Sequence, residues 1–207
     1  MLRFLLVAFM FLISSGFISL VQSVCIRGCD LALASYYIQP GNDIYSVSKY
    51  INTSVNNILK YNLNTIHNVY SIQKYVRINV PFRCDCINGD FFGHVFKYDH
   101  RIGDTYEKIA EVSYANLTTR DWIQMFNIYD GSQIPDDAII NVTVNCSCGD
   151  PSVSKDYGLF LTYPLRAGEN LDSVSSAANL SSGLIRSYNP DVNFSQGSGL
   201  VYIPWRG

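Results

Sequence analysis

The sequence has few charged residues, and their signs nearly balance. Of 207 residues, 15 are Lys or Arg and 17 are Asp or Glu, which leaves a formal net charge of −2 at pH 7. Proteins that bind nucleic acid or an anionic membrane surface usually concentrate positive charge on one face. The composition therefore predicts no nucleic-acid partner.

Long apolar runs are also scarce, and the longest lies at the N-terminus. Arg3 precedes an apolar run over residues 4–13, which Ser14 then interrupts. This pattern predicts a secretory signal peptide over residues 1–23. The alternative, a transmembrane anchor, needs about 20 predominantly apolar residues, and the run is too short for that. We therefore expect the rest of the chain in the secretory pathway and outside the cell.

Catalytic signatures are missing as well. A glycosidase needs two carboxylates placed across the bond that it cleaves, whereas the acidic residues here fall mostly at predicted helix caps or on the surface. His67, His94 and His100 have no serine or cysteine nucleophile signature beside them. The sequence therefore predicts a protein that is not an enzyme.

Cysteines are few but even in number: Cys25, Cys29, Cys84, Cys86, Cys146 and Cys148. After a signal peptide, an even count predicts three disulfides, although the spacing alone leaves many pairings open. A zinc site would usually add histidines at ligand spacing, and His94 has no second histidine at such a spacing. We therefore predict disulfides and no metal site.

Internal repetition is the strongest pattern in the chain. Three segments join an aromatic strand end to a glycine turn and a short amphipathic helix; they run from Tyr37 to Ile44, Tyr98 to Thr105, and Tyr163 to Asn170. About twenty residues past each glycine comes an aromatic–asparagine pair, at residues 61–62, 126–127 and 188–189. Apolar strands follow at 76–81, 139–144 and 200–204. The pattern predicts three strand-helix-helix-strand units of about 45 residues, which suits a repetitive ligand.

Hydrophobic periodicity places two short helices in each unit. In the second unit, Asp104 is predicted to cap the first helix, and Thr118 or Thr119 to start the next. The side chains predicted to face the core are Ile44, Val47, Ile51, Val55, Ile58 and Leu59; Tyr106, Ile109, Ala110, Trp122, Met125 and Phe126; and Leu171, Val174, Ala178, Leu184, Ile185 and Tyr188. Such small units bury little apolar surface, so we expect disulfides to tie them together.

The units resemble LysM modules, and the whole chain resembles the ectodomain of plant LysM receptor-like kinases of the chitin-elicitor and Nod-factor receptor clade. The matching stretches are 29–37, 103–106, 114–119, 145–149, 153–160 and 188–194. The resemblance implies an α+β fold of three tandem modules, at residues 24–83, 84–148 with its flanking Cys-x-Cys segments, and 149–207. The implied disulfides are Cys25–Cys86, Cys29–Cys148 and Cys84–Cys146.

The resemblance also implies a ligand, an oligomer of N-acetylglucosamine that is either a chitooligosaccharide or a lipochitooligosaccharide Nod factor. It would bind in a shallow groove of the second unit whose walls are Ile102, Gly103, Asp104, Thr105 and Glu107, and Gly131, Ser132, Gln133 and Ile134. Main-chain groups would hydrogen-bond the acetamide, and Ile134 would contact its methyl group. Turn chemistry alone also explains Gly103 and Asp104. The first-unit loops 40–43 and 74–76 resemble the region that separates lipid-modified from plain oligomers.

Receptors of this family continue into a membrane span and a serine/threonine kinase domain, whereas this sequence stops at Gly207. It also carries Arg83 where relatives usually have proline and Trp205 where they have glycine. We expect the sensor part of a plasma-membrane receptor, truncated before the span, with a second LysM receptor as partner and no cofactor. A secreted decoy or a structural co-receptor partner is the alternative.

Asn-x-Ser/Thr sequons are numerous and agree with secretion. We predict N-glycosylation at Asn52, Asn116, Asn141, Asn145, Asn179 and Asn193.

Overall fold

The computed structural model describes residues 25–70 and 72–205, and the predicted signal peptide lies outside them. The first unit comprises β1 (Cys29–Tyr37), α1 (Ile44–Tyr50), α2 (Val55–Lys60) and β2 (Arg77–Ile87). The second comprises β3 (Phe91–Asp99), α3 (Tyr106–Lys108) with a π-helical turn (Ile109–Ser113), α4 (Arg120–Met125) and β4 (Ile139–Asn145). The third comprises β5 (Leu159–Pro164), α5 (Leu171–Ala178), α6 (Ser182–Tyr188), a 3₁₀ turn (Phe194–Gln196) and β6 (Leu200–Trp205).

This architecture confirms the predicted α+β class and the strand-helix-helix-strand order of each unit. One strand differs from the prediction, because β2 continues beyond residue 81 through Cys84 and Cys86 to Ile87. Its first part pairs antiparallel with β1, and residues 85–87 pair antiparallel with β3. The first Cys-x-Cys segment is therefore part of a strand that joins two units.

The three units share one six-stranded sheet, in the order β4-β3-β2-β1-β5-β6. Neighbouring strands are antiparallel except β1 and β5, which run parallel with Leu33 opposite Leu161 and Ala34 opposite Thr162. The first unit is thus central, and the second and third units extend the sheet on either side of it.

A buried asparagine explains why an aromatic–asparagine pair recurs in every unit. The Asn189 amide Nδ2 donates to the carbonyl oxygens of Ile185 and Tyr202, and its Oδ1 accepts from the Tyr202 N–H. Asn62 and Asn127 make the same three bonds in their units. Each asparagine therefore fastens the second helix to the closing strand.

A second repeated contact corrects the alignment of the first unit. The Tyr98 hydroxyl donates to Asp104 at 2.7 Å, and the Tyr163 hydroxyl donates to Glu169 at 2.7 Å. In the first unit it is Tyr36, not Tyr37, that makes this contact, and its hydroxyl accepts from Asn42 at 2.9 Å. The predicted repeat was one residue out of register there, because adjacent tyrosines offered two equivalent choices.

The helices are short, and side-chain caps fix their starts. Asp43 and Asn170 each form a capping box with the serine three residues later. In the second unit the cap of α3 is Thr105, so the prediction of Asp104 was wrong: that carboxylate instead bonds Tyr98. Thr119 caps α4, as one of the two predicted choices.

The predicted apolar face of α4 was wrong at Met125. Met125 is 68% exposed, and the fully buried residue of this helix is Ile123. The rings of Trp122 and Phe126 are half-buried and pack on Phe91, with ring centroids 5.3 and 6.0 Å away. Trp122 and Met125 are both large and apolar, so the sequence pattern favoured the helix face that carries them over the face of Ile123, which the fold buries.

The core consists of two clusters. One is shared by the first and second units, where the aromatic rings of Tyr50, Tyr98, Tyr114 and Phe96 meet at 5.7 to 6.3 Å. The other belongs to the third unit and includes Leu33 of β1. The first two units are therefore one packing unit, whereas the third has a core of its own.

Three disulfides connect these units: Cys25–Cys86, Cys29–Cys148 and Cys84–Cys146. They are the pairs that the resemblance implies. The Sγ atoms of Cys29, Cys84 and Cys148 lie within 4.8 Å of one another, so the Cys29–Cys148 and Cys84–Cys146 bridges lie side by side. Because each sulfur is in a disulfide, none of the three is a thiolate that could bind a metal.

We predict that Asn189→Ala lowers the free energy of unfolding by about 2–4 kcal/mol, because three hydrogen bonds at a 3% exposed site are lost. Urea unfolding of the oxidised chain, followed by circular dichroism, measures this. Asn56→Ala, at an exposed position on α2, is the matched control and should leave the midpoint unchanged. Equal midpoints for the two variants would contradict the role given to the repeated asparagine.

Candidate functional site

The first wall of the predicted groove is the turn between β3 and α3. Gly103 has a φ of +84°, which favours glycine, and Ile102 beside it is 84% exposed. The Asp104 side chain is only 7% exposed and is engaged within the protein, with Lys108 Nζ at 2.9 Å and the Tyr98 hydroxyl at 2.7 Å. Asp104 can therefore offer a ligand its main chain, whereas its carboxylate holds the turn.

The second wall is a turn closed by Asp130. The Asp130 carboxylate accepts from the Ser132 N–H at 2.8 Å, and its carbonyl oxygen accepts from the Gln133 N–H. The Gly131 N–H donates to the Gln124 side chain at 3.1 Å. Because these three N–H groups are used inside the protein, the wall does not have them available for an acetamide. This refines the expectation that both walls offer their main chain freely.

Tyr106 brings the two walls together. It follows Thr105 directly, and its hydroxyl donates to the Tyr129 carbonyl oxygen at 3.1 Å. A Cβ at Gly131 would lie 3.0 Å from the Tyr106 ring, so glycine is what allows this approach. Of the two apolar side chains, Ile134 is half-buried against the core and Ile102 projects into solvent. The hydroxyl contact of Tyr106 therefore links the two predicted walls.

Asp104 is the principal ionisable group of the groove. Burial raises the pKa of its carboxyl, but the hydrogen bonds from Tyr98 and Lys108 and the Lys108 charge outweigh burial and hold that pKa below its ordinary value. Burial, together with the bond to Asp104, raises the pKa of Tyr98 far above its usual range. At neutral pH this wall therefore holds a carboxylate paired with an ammonium group.

The first and third units carry different side chains at the turns that correspond to the groove walls of the second unit. In the first unit, Tyr45 and Tyr70 interact and remain 50% and 85% exposed, and Tyr75 has an unusual φ of +66°. In the third unit, a Cβ at Gly197 would lie 3.1 Å from the Ala167 Cα, so the two walls press directly on each other. The first unit therefore carries exposed aromatic side chains at this place, whereas in the third unit Gly197 packs against Ala167.

The predicted glycosylation sites fall into two groups. Asn52, Asn116, Asn179 and Asn193 are exposed. Asn141 is half-buried, and its side chain already bonds the Phe126 carbonyl oxygen and Lys97. Asn145 is half-buried, and its Oδ1 has no partner. The exposed group meets the steric requirement for a glycan more easily.

A cleft that the sequence did not predict lies between the second and third units. Its volume is about 610 Å³, and it is lined by residues 116–119, Trp122 and Asn145 on one side and by residues 165–167 and 197–200 on the other. No periodicity could reveal it, because it is formed by residues from two different units.

Comparisons with known proteins agree with this fold. The LysM domain family profile matches residues 161–204. The crystal structure of the LYK3 ectodomain superposes with a TM-score of 0.84 at 48% identity, covering 88% of this chain and 92% of that one. The chain belongs to the family of plant LysM receptor-like kinase ectodomains. The third unit, which contains the matched residues, is therefore a LysM module.

Full-length relatives give the same assignment. LysM domain receptor-like kinase 3 of Medicago truncatula is 47% identical over 192 residues, which are 90% of this chain and 31% of that protein. Chitin elicitor receptor kinase 1 of Arabidopsis thaliana is 45% identical over 213 residues, covering 99% of this chain and 34% of that protein. The chain thus spans about a third of the curated relatives that it matches. Among residues 25–70 and 72–205, no helix has the length and apolar character to cross a membrane.

We predict that Asp104→Asn lowers the free energy of unfolding at pH 6 and that this deficit shrinks at pH 3. The folded-state pKa of Asp104 lies below its unfolded value, so its contribution is present above about pH 4 and is lost as the pH falls through the folded pKa. Urea unfolding at the two pH values measures the difference. Asp136→Asn, an exposed aspartate before β4, is the control and should match the wild type. A deficit that grows at pH 3 would contradict the account.

Proposed function

We propose that this chain is the extracellular sensor of N-acetylglucosamine oligomers in a LysM receptor-like kinase, and that the groove of the second unit holds the sugar. The observation that supports it is the pairing of two turns around Tyr106, with the exposed Ile102 and the half-buried Ile134 at the walls. The printed name of the Arabidopsis relative, a chitin elicitor receptor kinase, favours the same ligand class.

The chemistry of the groove suits an acetylated amino sugar. An acetamide brings one N–H, one C=O and one methyl group, and it carries no charge. Asp104 and Lys108 neutralise each other at 2.9 Å, which leaves the exposed Glu107 as the remaining charged residue of this wall. Carbonyl oxygens of the turns can accept the N–H, and Ile134 can take the methyl. An anionic ligand would gain little from this surface.

Affinity for a single sugar should be weak. Burying one methyl group contributes about 0.8 kcal/mol, and exposed hydrogen bonds add only about 1 kcal/mol each. An oligomer that places several sugars in register, or that bridges two receptors, gains through effective concentration. We therefore propose chitooligosaccharides or lipochitooligosaccharides as ligands, with a second LysM receptor as partner.

The same proposal places the chain outside the cell, at the plasma membrane when the span and kinase of its relatives follow it. Immune and symbiotic roles would use the same second-unit groove. The tyrosines of the first unit, Tyr45 and Tyr70, are where a lipid-modified ligand could be distinguished, since they present exposed aromatic surface.

We predict that the oxidised chain binds chitotetraose to chitooctaose with affinity that rises with length, and that Ile134→Glu weakens binding about tenfold or more by placing a charge at the methyl site. Isothermal titration calorimetry measures this. Ile102→Glu, at an 84% exposed position, tests the opposite wall without disturbing the core.

The matched control is Ile128→Glu, because Ile128 is 92% exposed and is not part of either wall. It should bind like the wild type, and cello-oligosaccharides, which lack the acetamide, should give no heat. The proposal would be contradicted if both Ile134→Glu and Ile102→Glu bound like the wild type, or if the wild type gave no heat at millimolar chitooctaose.

A further inference from the structure

The cleft between the second and third units is a separate cavity from the groove, and none of the predicted groove residues lines it. Its lining includes Leu117, Leu165, Leu200 and Trp122, and of the three leucines Leu200 is the one that is not buried. Tight packing of Gly197 on Ala167 closes the third-unit side, where a Cβ would lie 3.1 Å from the Ala167 Cα. A volume of about 610 Å³ is enough for one or two sugar rings.

Unsatisfied polar atoms concentrate at this cleft. Among the described residues, the buried side-chain atoms without a hydrogen-bond partner are His100 Nδ1, Thr118 Oγ1, Trp122 Nε1, Thr143 Oγ1 and Asn145 Oδ1. Three of them belong to residues that line the cleft: Thr118, Trp122 and Asn145. Thr118 itself is only 5% exposed. Since an unpaired buried polar group costs free energy, an occupant that pairs with these atoms would be stabilised by them.

The three atoms define the chemistry of the occupant. Trp122 Nε1 can only donate a hydrogen bond, Asn145 Oδ1 can only accept one, and the Thr118 hydroxyl can do either. An acetamide group offers the complementary set, a C=O to accept and an N–H to donate, together with a methyl group for the leucine surface. A sugar hydroxyl lacks that methyl, and a carboxylate lacks the donor.

We propose that this cleft is a second site for an N-acetylhexosamine residue, which it recognises through the acetamide group. The proposal does not depend on the proposed function, because the residues of the cleft and of the groove are different. Two sources could supply the sugar: a free oligosaccharide, or the first sugar of the chain's own N-glycan.

The second source follows from the position of Asn116. This residue is exposed, lines the cleft, and begins the sequon Asn116-Leu117-Thr118. A glycan attached there would start at the rim of the cavity. Asn145, the other sequon asparagine of the cleft, has its Oδ1 buried.

Trp122 provides a direct reporter for the test. The sequence has two tryptophans, so Trp205→Phe leaves Trp122 as the single tryptophan, which can be excited selectively over the tyrosines. The unglycosylated, oxidised Trp205→Phe chain is titrated with N,N′-diacetylchitobiose, and the deacetylated disaccharide and cellobiose serve as controls. We expect a saturable change in Trp122 emission with the acetylated sugar alone.

A paired substitution tests the polar atoms. Thr118→Val keeps the shape and removes the unpartnered hydroxyl, so it should leave the folded protein at least as stable while weakening the acetylated sugar about fivefold. Thr118→Ser should bind like the wild type. The same titration in an Ile102→Glu background should keep its Trp122 signal, which separates this site from the groove.

The glycosylated chain then identifies the source. If the glycan of Asn116 occupies the cleft, the glycosylated chain gives no response to added sugar, and Asn116→Gln restores the response. If the glycosylated chain responds like Asn116→Gln, free oligosaccharide is the occupant. Two results would overturn the proposal. Trp122 emission in the unglycosylated chain could stay unchanged on addition of the acetylated disaccharide, or it could change equally with the acetylated disaccharide and the deacetylated control.

Discussion

Three disulfides at one end of the central β1–β2 pair, two of them with sulfurs within 4.8 Å of one another, are the constraint on which the rest of this structure depends. Cys29 of β1 lies opposite Cys84 of β2, and these two residues bridge to Cys148 and Cys146 just beyond β4. The bridges close loops of 61 to 119 residues, which in a chain-entropy account stabilises the folded state by roughly 4 kcal/mol each. Because these bridges tie the first and second units together and to the segment that leads into the third, they constrain where the groove walls and the cleft lie relative to one shared sheet.

Within each unit, the fold was readable from the sequence because its determinants are local. Helical periodicity and the asparagine after the second helix recur in all three units, and each pattern has its own contact, such as the three bonds made by Asn189. The strand order was not readable. Parallel pairing of β1 with β5 depends on Leu33 meeting Leu161, which are far apart in the chain. The prediction of the buried face of α4 was wrong at Met125, because Ile123 is the residue of this helix that is fully buried in the core.

For the candidate site, the sequence indicated the turns of the predicted groove but not the contacts that their side chains make. Glycine turns signal where the main chain can approach a ligand, and Gly103 does adopt the positive φ that such a turn requires. The sequence could not show that the Asp104 carboxylate pairs with Tyr98 and Lys108, because these contacts depend on how deeply the folded chain buries that carboxylate. The cleft was beyond prediction for a related reason: Thr118, Trp122 and Asn145 become neighbours of the third unit only through the disulfide junction and the shared sheet.

The central claim is that two turns of the second unit form a groove that recognises acetylated amino sugars without altering them. A crystal structure of the oxidised chain grown with chitotetraose tests it most directly. The account predicts intact sugar between residues 102–107 and 131–134, with an acetyl methyl group against Ile134 and the ring of Tyr106 between the walls. Sugar bound only elsewhere, or a groove filled by its own side chains, would contradict it.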